Sequence, residues 1–296
     1  VPEDASDSFC KTQKAFKMAN PSYGKTIKPG EIKSAASQAA SRGVRAWLNF
    51  QMYRLNRWQR SSNPFLKASD WDKCQDNLNL ATFAGEPVGL GIDLSKTRDA
   101  TAVSTVFKDA NDDDTYYQFI KMWMLKAYAE DHASEADFLG WGEAGDIELV
   151  EGEEIGLDHV ANYLEYLDET FDVRRVGYDP YLVRALQPIF DERKWGDDVT
   201  VPFPQQVKFF AVPTGEYERL LIAGRLMHEG NSCLTWQAGH VETASDANNN
   251  KRPIKPKNQE FKKIDGIVAG IMGLWAIQNA DPIVSDWYED NELESA

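Results

Sequence analysis

Val88-Gly89-Leu90-Gly91-Ile92-Asp93-Leu94-Ser95 is the stretch on which the reading of this chain turns. Residues 87–94 form a near-continuous apolar run, the pattern of a strand buried on both faces, and a carboxylate stands at its end. Two more carboxylates hold comparable places. Asp179 closes the run Arg175-Val176-Gly177-Tyr178-Asp179-Pro180. Asp265 opens an apolar helical run in Lys262-Lys263-Ile264-Asp265-Gly266-Ile267-Val268-Ala269. Carboxylates are rarely set against core-forming segments unless something pairs with them. A divalent metal would pair with all three.

Downstream of the first run, 100–107 is rich in β-branched residues, 111–114 is a polar turn and 116–125 reads as a strand. Residues 86–125 are therefore expected to form an antiparallel meander. The acidic, glycine-containing stretch 130–155 reads as loop. Residues 157–171 carry apolar side chains at helical spacing, 173–178 is a short buried strand and 182–193 a helix. That alternation points to a parallel part of the sheet. A strand at 209–212, a helix at 216–227, a hairpin within 236–256 and a last long helix at 262–280 complete the order. Meander, parallel strand and closing helix make an α/β plan, a ribonuclease H-like mixed sheet flanked by helices. In that plan Asp93 ends the central strand, Asp179 ends a neighbour and Asp265 sits in the first turn of the closing helix, so the three converge.

Ahead of the sheet, residues 1–85 read as a mainly helical appendage, helix-forming from 31 to 60 and ended by Asn63-Pro64. The core domain is expected to be 86–284, and 285–296 an acidic, frayed tail. The chain begins at Val1, which suits a fragment or a processed product.

Cys10, Cys74 and Cys233 are scattered, with no C-x-x-C, which argues against a disulfide framework or a zinc site and fits a reducing cytoplasm. Four His with no H-E-x-x-H disfavour a zinc hydrolase or a Ser-His-Asp triad. No apolar run approaches the roughly 18 residues of a membrane span. The net charge of −15 looks wrong for a nucleic-acid binder, but its distribution matters more than its sum. From Lys11 to Lys67 twelve Lys/Arg face one acid, Glu31, a local net of +11. A second basic cluster, Lys251, Arg252, Lys255, Lys257, Lys262 and Lys263, leads straight into Asp265. Charge runs are ordinarily solvated faces; this one adjoins a candidate site and is read as DNA-binding.

Taken singly, each aspartate also has an ordinary reading: a turn cap for Asp93, an Asx-turn for Asp179, a helix N-terminal charge for Asp265. Taken jointly, with the matching element order, they read as a metal site. Clustered carboxylates without an equal number of nearby cations cannot stay ionised without a counter-charge. Mg²⁺ or Mn²⁺ would supply it, both preferring oxygen ligands. Two such ions about 3.5–4 Å apart can clamp the attacking and leaving oxygens of a phosphodiester. Asp99, six residues after Asp93, is either a further metal ligand or partner, or a turn residue. Ala19-Asn20-Pro21-Ser22-Tyr23-Gly24-Lys25-Thr26 fits a loose phosphate-loop pattern, but no clean strand precedes it, and Pro21 and Pro29-Gly30 interrupt the helix it would need.

Gly91-Ile92-Asp93-Leu94-Ser95 with Asp99-Ala100-Thr101-Ala102 resembles the first nuclease motif of the large terminase subunit of tailed bacteriophages. Tyr178-Asp179-Pro180-Tyr181 resembles the second, and Asp246-Ala247-Asn248 with Lys255 and Lys263-Ile264-Asp265-Gly266-Ile267-Val268-Ala269 the third. Ala19-Asn20-Pro21-Ser22 and Leu55-Asn56-Arg57-Trp58 are similar to the segment joining that family's two domains. The resemblance implies the metal-dependent endonuclease half of an ATP-driven DNA-packaging motor, with its linker. It implies Asp93, Asp179 and Asp265 as catalytic metal ligands, with two Mg²⁺ or Mn²⁺ ions as cofactors, and double-stranded DNA, the ATPase domain of the same protein, the small terminase subunit and the portal as partners. It places the protein in the host cell cytoplasm, with no membrane. Rival readings are another ribonuclease H-like nuclease of resolvase or transposase type, a non-catalytic portal-docking domain, and an actin-like ATPase. The last needs a second glycine-rich phosphate turn that this sequence does not show.

Overall fold

The computed structural model describes residues 1, 5–42, 44–56, 65–95, 99–112, 114–245, 250–256, 259 and 261–280, with the backbone alone at 44, 45, 48, 49, 182 and 183. The hairpin tip at 246–249, Lys257 and the acidic tail lie outside the described residues.

Four helices come first: α1 (Asp7–Cys10), α2 (Gln13–Ala19), α3 (Pro29–Ser41) and α4 (Val44–Leu55). They bury a core of their own, built on Cys10, Phe16, Ile32, Trp47, Phe50 and Leu55. Two asparagines knit its ends: Asn20 donates from Nδ2 to the Arg54 carbonyl, and Asn56 donates to the Ala19 carbonyl, at 2.9 Å each. These are the positions singled out in the two linker motifs. The phosphate-loop look-alike follows a helix, α2, rather than a strand, so its context fails as the sequence suggested.

Helix α5 (Ala68–Asp72) already belongs to the sheet. Phe65, Leu66, Trp71 and Cys74 lie in its core, Phe65 N donates to Val241 O, and Trp71 Nε1 donates to Thr235 Oγ1. The packing therefore changes allegiance before residue 65, not at the expected 85/86 boundary. Large apolar side chains within a polar stretch decide this, and they outweigh the composition of the segment.

The main sheet contains β1 (Pro87–Asp93), β2 (Thr101–Lys108), β3 (Tyr116–Leu125), β4 (Glu148–Val150), β5 (Asp172–Tyr178), β6 (Thr200–Pro202) and β7 (Leu226–His228). Its order is β4-β3-β2-β1-β5-β6, with β7 also paired to β3. β1, β2 and β3 form the antiparallel meander, and β5 runs parallel to β1. This is the mixed ribonuclease H-like sheet expected from the sequence. Between its strands run α6 (Lys126–Asp131), α7 (Phe138–Ala144), α8 (Leu157–Thr170), α9 (Val183–Glu192) and α10 (Val207–Ala223); after β7 come α11 (Ser232–Ala238), an antiparallel ladder of β8 (Glu242–Ser245) and β9 (Lys251–Ile254), and α12 (Asp265–Gln278). Among the described residues no helix is long and apolar enough to cross a membrane.

Three local readings change. The stretch 130–155 holds α7 and β4; α7 is too short, and too rich in glycine, to show a helical period. The apolar run expected to be a strand at 209–212 is the first part of α10, because Phe210, Pro213, Tyr217 and Leu220 recur at helical spacing and are all buried. That helix ends at Ala223, and residues 226–228 form β7 instead.

The alternation of side chains along β1 sets the rest of the architecture. Val88, Leu90 and Ile92 enter one core with residues of α8 and α9, including Leu164 and Leu186. Gly89 and Gly91 face the other way, as the two-residue period of a strand requires. There the α12 backbone lies directly on the strand: a Cβ on Gly91 would stand 2.0 Å from Ala269 O and 2.4 Å from Gly273 N. A Cβ on Gly89 would stand 2.3 Å from Ile277 N. Ascending β1 thus means descending in number along α12, which brings the start of the helix toward Asp93. α12 is apolar on nearly every side and almost wholly buried, as a helix covered all round must be.

Candidate metal centre

Gly91 and Gly177 are register partners on the parallel pair β1–β5. Asp93 and Asp179 follow each by two residues, so both fall on the α12 face, just beyond the last paired position, Ile92 opposite Tyr178. Asp265 is the first residue of α12. The sheet places two carboxylates side by side, and the glycine-lined seam aims the third at them. A cavity of about 270 Å³ opens here, with Asp93, Asp265, Lys255, Arg252 and Gln205 among its lining residues.

Asp265 is 6% exposed, and its Oδ2 is buried without a hydrogen-bond partner. Burial raises its pKa to about 6; Lys255 pulls the other way and the Asp99 charge adds to the rise. Burial, followed by the charge of Asp265, holds the Asp93 carboxyl well above the usual carboxylate range, with Asp179 and Asp99 contributing. Among the described residues the Asp93 carboxylate has no hydrogen bond or ion pair. Asp179 Oδ1 accepts from Tyr181 N at 2.9 Å, the Asx-turn of its ordinary reading, which leaves its second oxygen free to serve elsewhere.

Two lysines of the third motif, Lys255 and Lys263, enter the cluster and still fall short of the number of carboxylates there. Lys255 Nζ lies 2.5 Å from Asp99 Oδ1 and 3.8 Å from Asp265 Oδ1. Lys263 Nζ lies 2.9 Å from the same Asp99 oxygen and 4.2 Å from the Tyr128 ring centroid. Asp99 is therefore no idle turn residue. Burial would raise its pKa, but the bonds from Lys255 and Lys263 outweigh that and lower it. Lys263 is 1% exposed, so its expected place on an open DNA-binding face does not hold. Its aliphatic stem is in the core and its ammonium is held by Asp99. As placed, no three acidic, His or Cys side chains among the described residues stand at metal-ligating separation. Asp179 is bonded to Tyr181 N, and both lysines are bound to Asp99.

The other basic residues divide. Lys251 Nζ is 3.4 Å from Glu218 Oε2, Arg252 Nη1 donates to Gln205 O at 2.7 Å beside the cavity, and Lys262 is half-buried. Lys257 lies outside the described residues.

Sequence reasoning did not find the anchors of the α12 start. Gln237 Oε1 accepts from Gly266 N at 2.8 Å, and His240 Nε2 donates to Lys263 O at 2.7 Å. Both side chains are buried, and burial drops the His240 pKa to about 4, so the ring is neutral at ordinary pH. They fix the backbone on either side of Asp265. Only an unusual Gln and His within an apolar stretch could have signalled them.

The metal-free centre is a source of instability, and its sign follows from the raised pKa of Asp265. The folded protein holds this proton more tightly than the unfolded chain does. Stability is therefore lost as pH rises from the ordinary carboxylate range through about 6, and regained as pH falls back through that range. The melting temperature in EDTA is expected to rise between pH 8 and pH 5.5, by an effect on the order of 1 kcal/mol. Asp265→Asn should flatten that dependence; an equally steep profile in the variant would show that the cost arises elsewhere.

The donor set, oxygen-only with an orphaned buried carboxylate oxygen, fits a hard divalent cation. Comparison with known proteins agrees with this architecture. A family model for the terminase large subunit, endonuclease domain, matches residues 2–281. The chain is 26% identical to Protein YmfN of Escherichia coli K12 over 99% of this chain and 66% of that protein. It is 24% identical to the large terminase subunit of Enterobacteria phage HK97, over 93% of this chain and 53% of that one. The crystal structure of the HK97 large terminase aligns with a TM-score of 0.61 at 22% identity, covering 92% of this chain and 55% of that chain. The large-terminase nuclease of thermophilic phage G20c, solved with bound magnesium, aligns less closely, with a TM-score of 0.46 at 12% identity over 74% of this chain and 98% of that one. The chain spans between about half and two-thirds of the length of YmfN and the HK97 terminase. With its residues matched almost from end to end, the chain belongs to the terminase large subunit endonuclease domain family.

Proposed function

We propose that this chain is a metal-dependent endonuclease that hydrolyses phosphodiesters of double-stranded DNA during viral genome packaging. The observation that carries the reading is the convergence of Asp93, Asp179 and Asp265 on one face of the sheet, with Asp265 Oδ2 buried and unpartnered. Asp93, Asp265 and Asp179 would hold Mg²⁺ or Mn²⁺, two ions in the full assembly with DNA. A bound divalent ion supplies Lewis-acid activation of the phosphodiester and of the attacking water. The protein's own residues do the rest. The sheet fixes Asp93 and Asp179 at adjacent strand ends. Gln237 and His240 hold the backbone on which Asp265 is carried, and Asp99 keeps Lys255 and Lys263 beside the cavity.

Arg252, Lys251, Lys255 and Lys262, on and after β9, are the side chains proposed to meet DNA phosphates, with Lys257 continuing that run. The α1–α4 unit, whose described Lys and Arg side chains are mostly exposed, is proposed to face the ATPase domain of a longer protein. The small terminase subunit and the portal are proposed as further partners, in the host cytoplasm. Contacts made through phosphates rather than base edges imply weak sequence preference.

Nicking of supercoiled plasmid with Mg²⁺ or Mn²⁺ tests this reading, with Asp93→Ala, Asp179→Ala and Asp265→Ala as comparisons. Three variants that cut as well as the parent would end it. Because the proposed DNA contacts are ionic and the whole chain carries −15, raising salt from 50 to 200 mM is expected to weaken DNA binding by roughly tenfold or more. Salt-independent binding would remove the lysines and Arg252 from the interface.

A further inference from the structure

We infer that Lys255 is a built-in counter-ion that competes with divalent metal for Asp99 and Asp265, so that without DNA the centre takes one ion, not two. This rests on the metal-site reading above and concerns what limits its occupancy.

The charges around the cavity carry the argument. Four carboxylates gather there, Asp93, Asp99, Asp179 and Asp265. Two ammonium groups are already among them, and they are not equivalent. Lys263 is 1% exposed, bound to Asp99 and stacked on Tyr128, with its backbone carbonyl tied to His240. It is part of the core and cannot leave without unpacking. Lys255 is half-buried, lines the cavity and reaches both Asp99 and Asp265 from the end of β9. Its carboxylate partners include Asp265, one of the three proposed metal ligands. Among the described residues, with both lysines in place, about two negative charges remain, which one divalent cation neutralises. Among the described residues Asp93, the Oδ2 of Asp265 and the second oxygen of Asp179 are unpaired, so that ion has a defined place to bind. A second ion would have to displace the Lys255 ammonium from Asp99, or wait for an incoming phosphate to draw the ammonium away.

Titration of the full chain with Mn²⁺ at pH 8 without DNA, followed by the electron paramagnetic resonance signal of free Mn²⁺, tests this directly. The parent is expected to bind one ion. Lys255→Met removes the ammonium and keeps most of the stem; it is expected to bind two ions, or one at least about tenfold more tightly, as loss of a unit positive charge near the site demands. Lys255→Arg keeps the charge and is expected to match the parent. Circular dichroism melting establishes that each variant is folded; should Lys255→Met fail to fold, Lys255→Gln carries the same expectation. A folded charge-removing variant with the parent's stoichiometry and affinity overturns the inference while leaving the metal site standing. Two ions bound by the parent overturn it as well. Absence of Mn²⁺ binding by every chain overturns the metal-site reading and this inference together.

Discussion

The Asp93→Asn variant is expected to lose plasmid nicking by roughly a thousandfold or more, about 4 kcal/mol of transition-state stabilisation, while its metal-free form melts at a higher temperature than the parent. The two effects have one origin. Asp93 stands at the end of a buried strand with the charges of Asp265, Asp179 and Asp99 around it, offset in part by Lys255, and no hydrogen bond among the described residues. In the absence of metal its ionised form is opposed by burial and by its neighbours. Asparagine has nearly the same volume and no charge, so the strand end is relieved of that opposition. The expected readout is an upward shift of the metal-free melting temperature, its direction set by the raised pKa of Asp93. The same change removes a ligand and a negative charge from the proposed ion. Mg²⁺ should therefore raise the melting temperature of the parent and leave that of the variant nearly unchanged. Plasmid nicking and paired thermal melts with and without Mg²⁺ decide the matter. A variant that cuts at the parental rate would remove Asp93 from the chemistry. A variant that is inactive because it is unfolded would show the opposite shift in melting.

Much of this was legible from residue order alone, because the informative features are local. The β1 run, the Asp at its end and the alternation of large residues with glycine are visible in Val88 to Asp93. The same glycine-then-aspartate step recurs at Gly177 and Asp179, and register pairing of the two glycines converts that likeness into adjacency. Three kinds of information were not local. The allegiance of residues 65–74 depends on which core Phe65 and Trp71 enter, and that core is assembled from segments scattered between residues 100 and 277. The helical state of 209–212 depends on tertiary burial of Phe210 and Tyr217, which overrides the strand preference of its aromatic and β-branched residues. The partnership of Lys255 and Lys263 with Asp99 depends on long side chains reaching across the closed cavity. A basic run adjoining an acidic site can face outward to DNA or inward to the carboxylates, and these two lysines turn inward.

Gly91→Ala is expected to be the most damaging single methyl group in the sheet, costing about 3 kcal/mol or more and lowering the melting temperature by roughly 6–12 °C. The added Cβ would stand 2.0 Å from Ala269 O and 2.4 Å from Gly273 N. Both are backbone atoms of a helix packed against β1, β2 and β5, so no rotamer change can make room. α12 would have to retreat by roughly 1 Å or more to restore van der Waals separation, opening a gap along its whole contact with the sheet. Gly177 supplies the internal control. It is the register partner of Gly91 on the next strand, yet its Cβ would come no closer than 3.3 Å to Met272 O, so Gly177→Ala is expected to cost about 1 kcal/mol or less. The same displacement reaches the centre, because Asp265 rides on the first turn of α12 while Asp93 stays with β1. A misplacement of about 1 Å between catalytic groups can cost roughly a hundredfold in rate, so the Gly91 variant should cut poorly even at temperatures where it remains folded. Thermal melts of the two alanine variants beside the parent, with nicking assayed at 20 °C, test the seam. Equal melting of the Gly91 variant and the parent would mean that α12 is not seated on the β1 backbone. Asp265 would then owe its position to the Gln237 and His240 anchors alone.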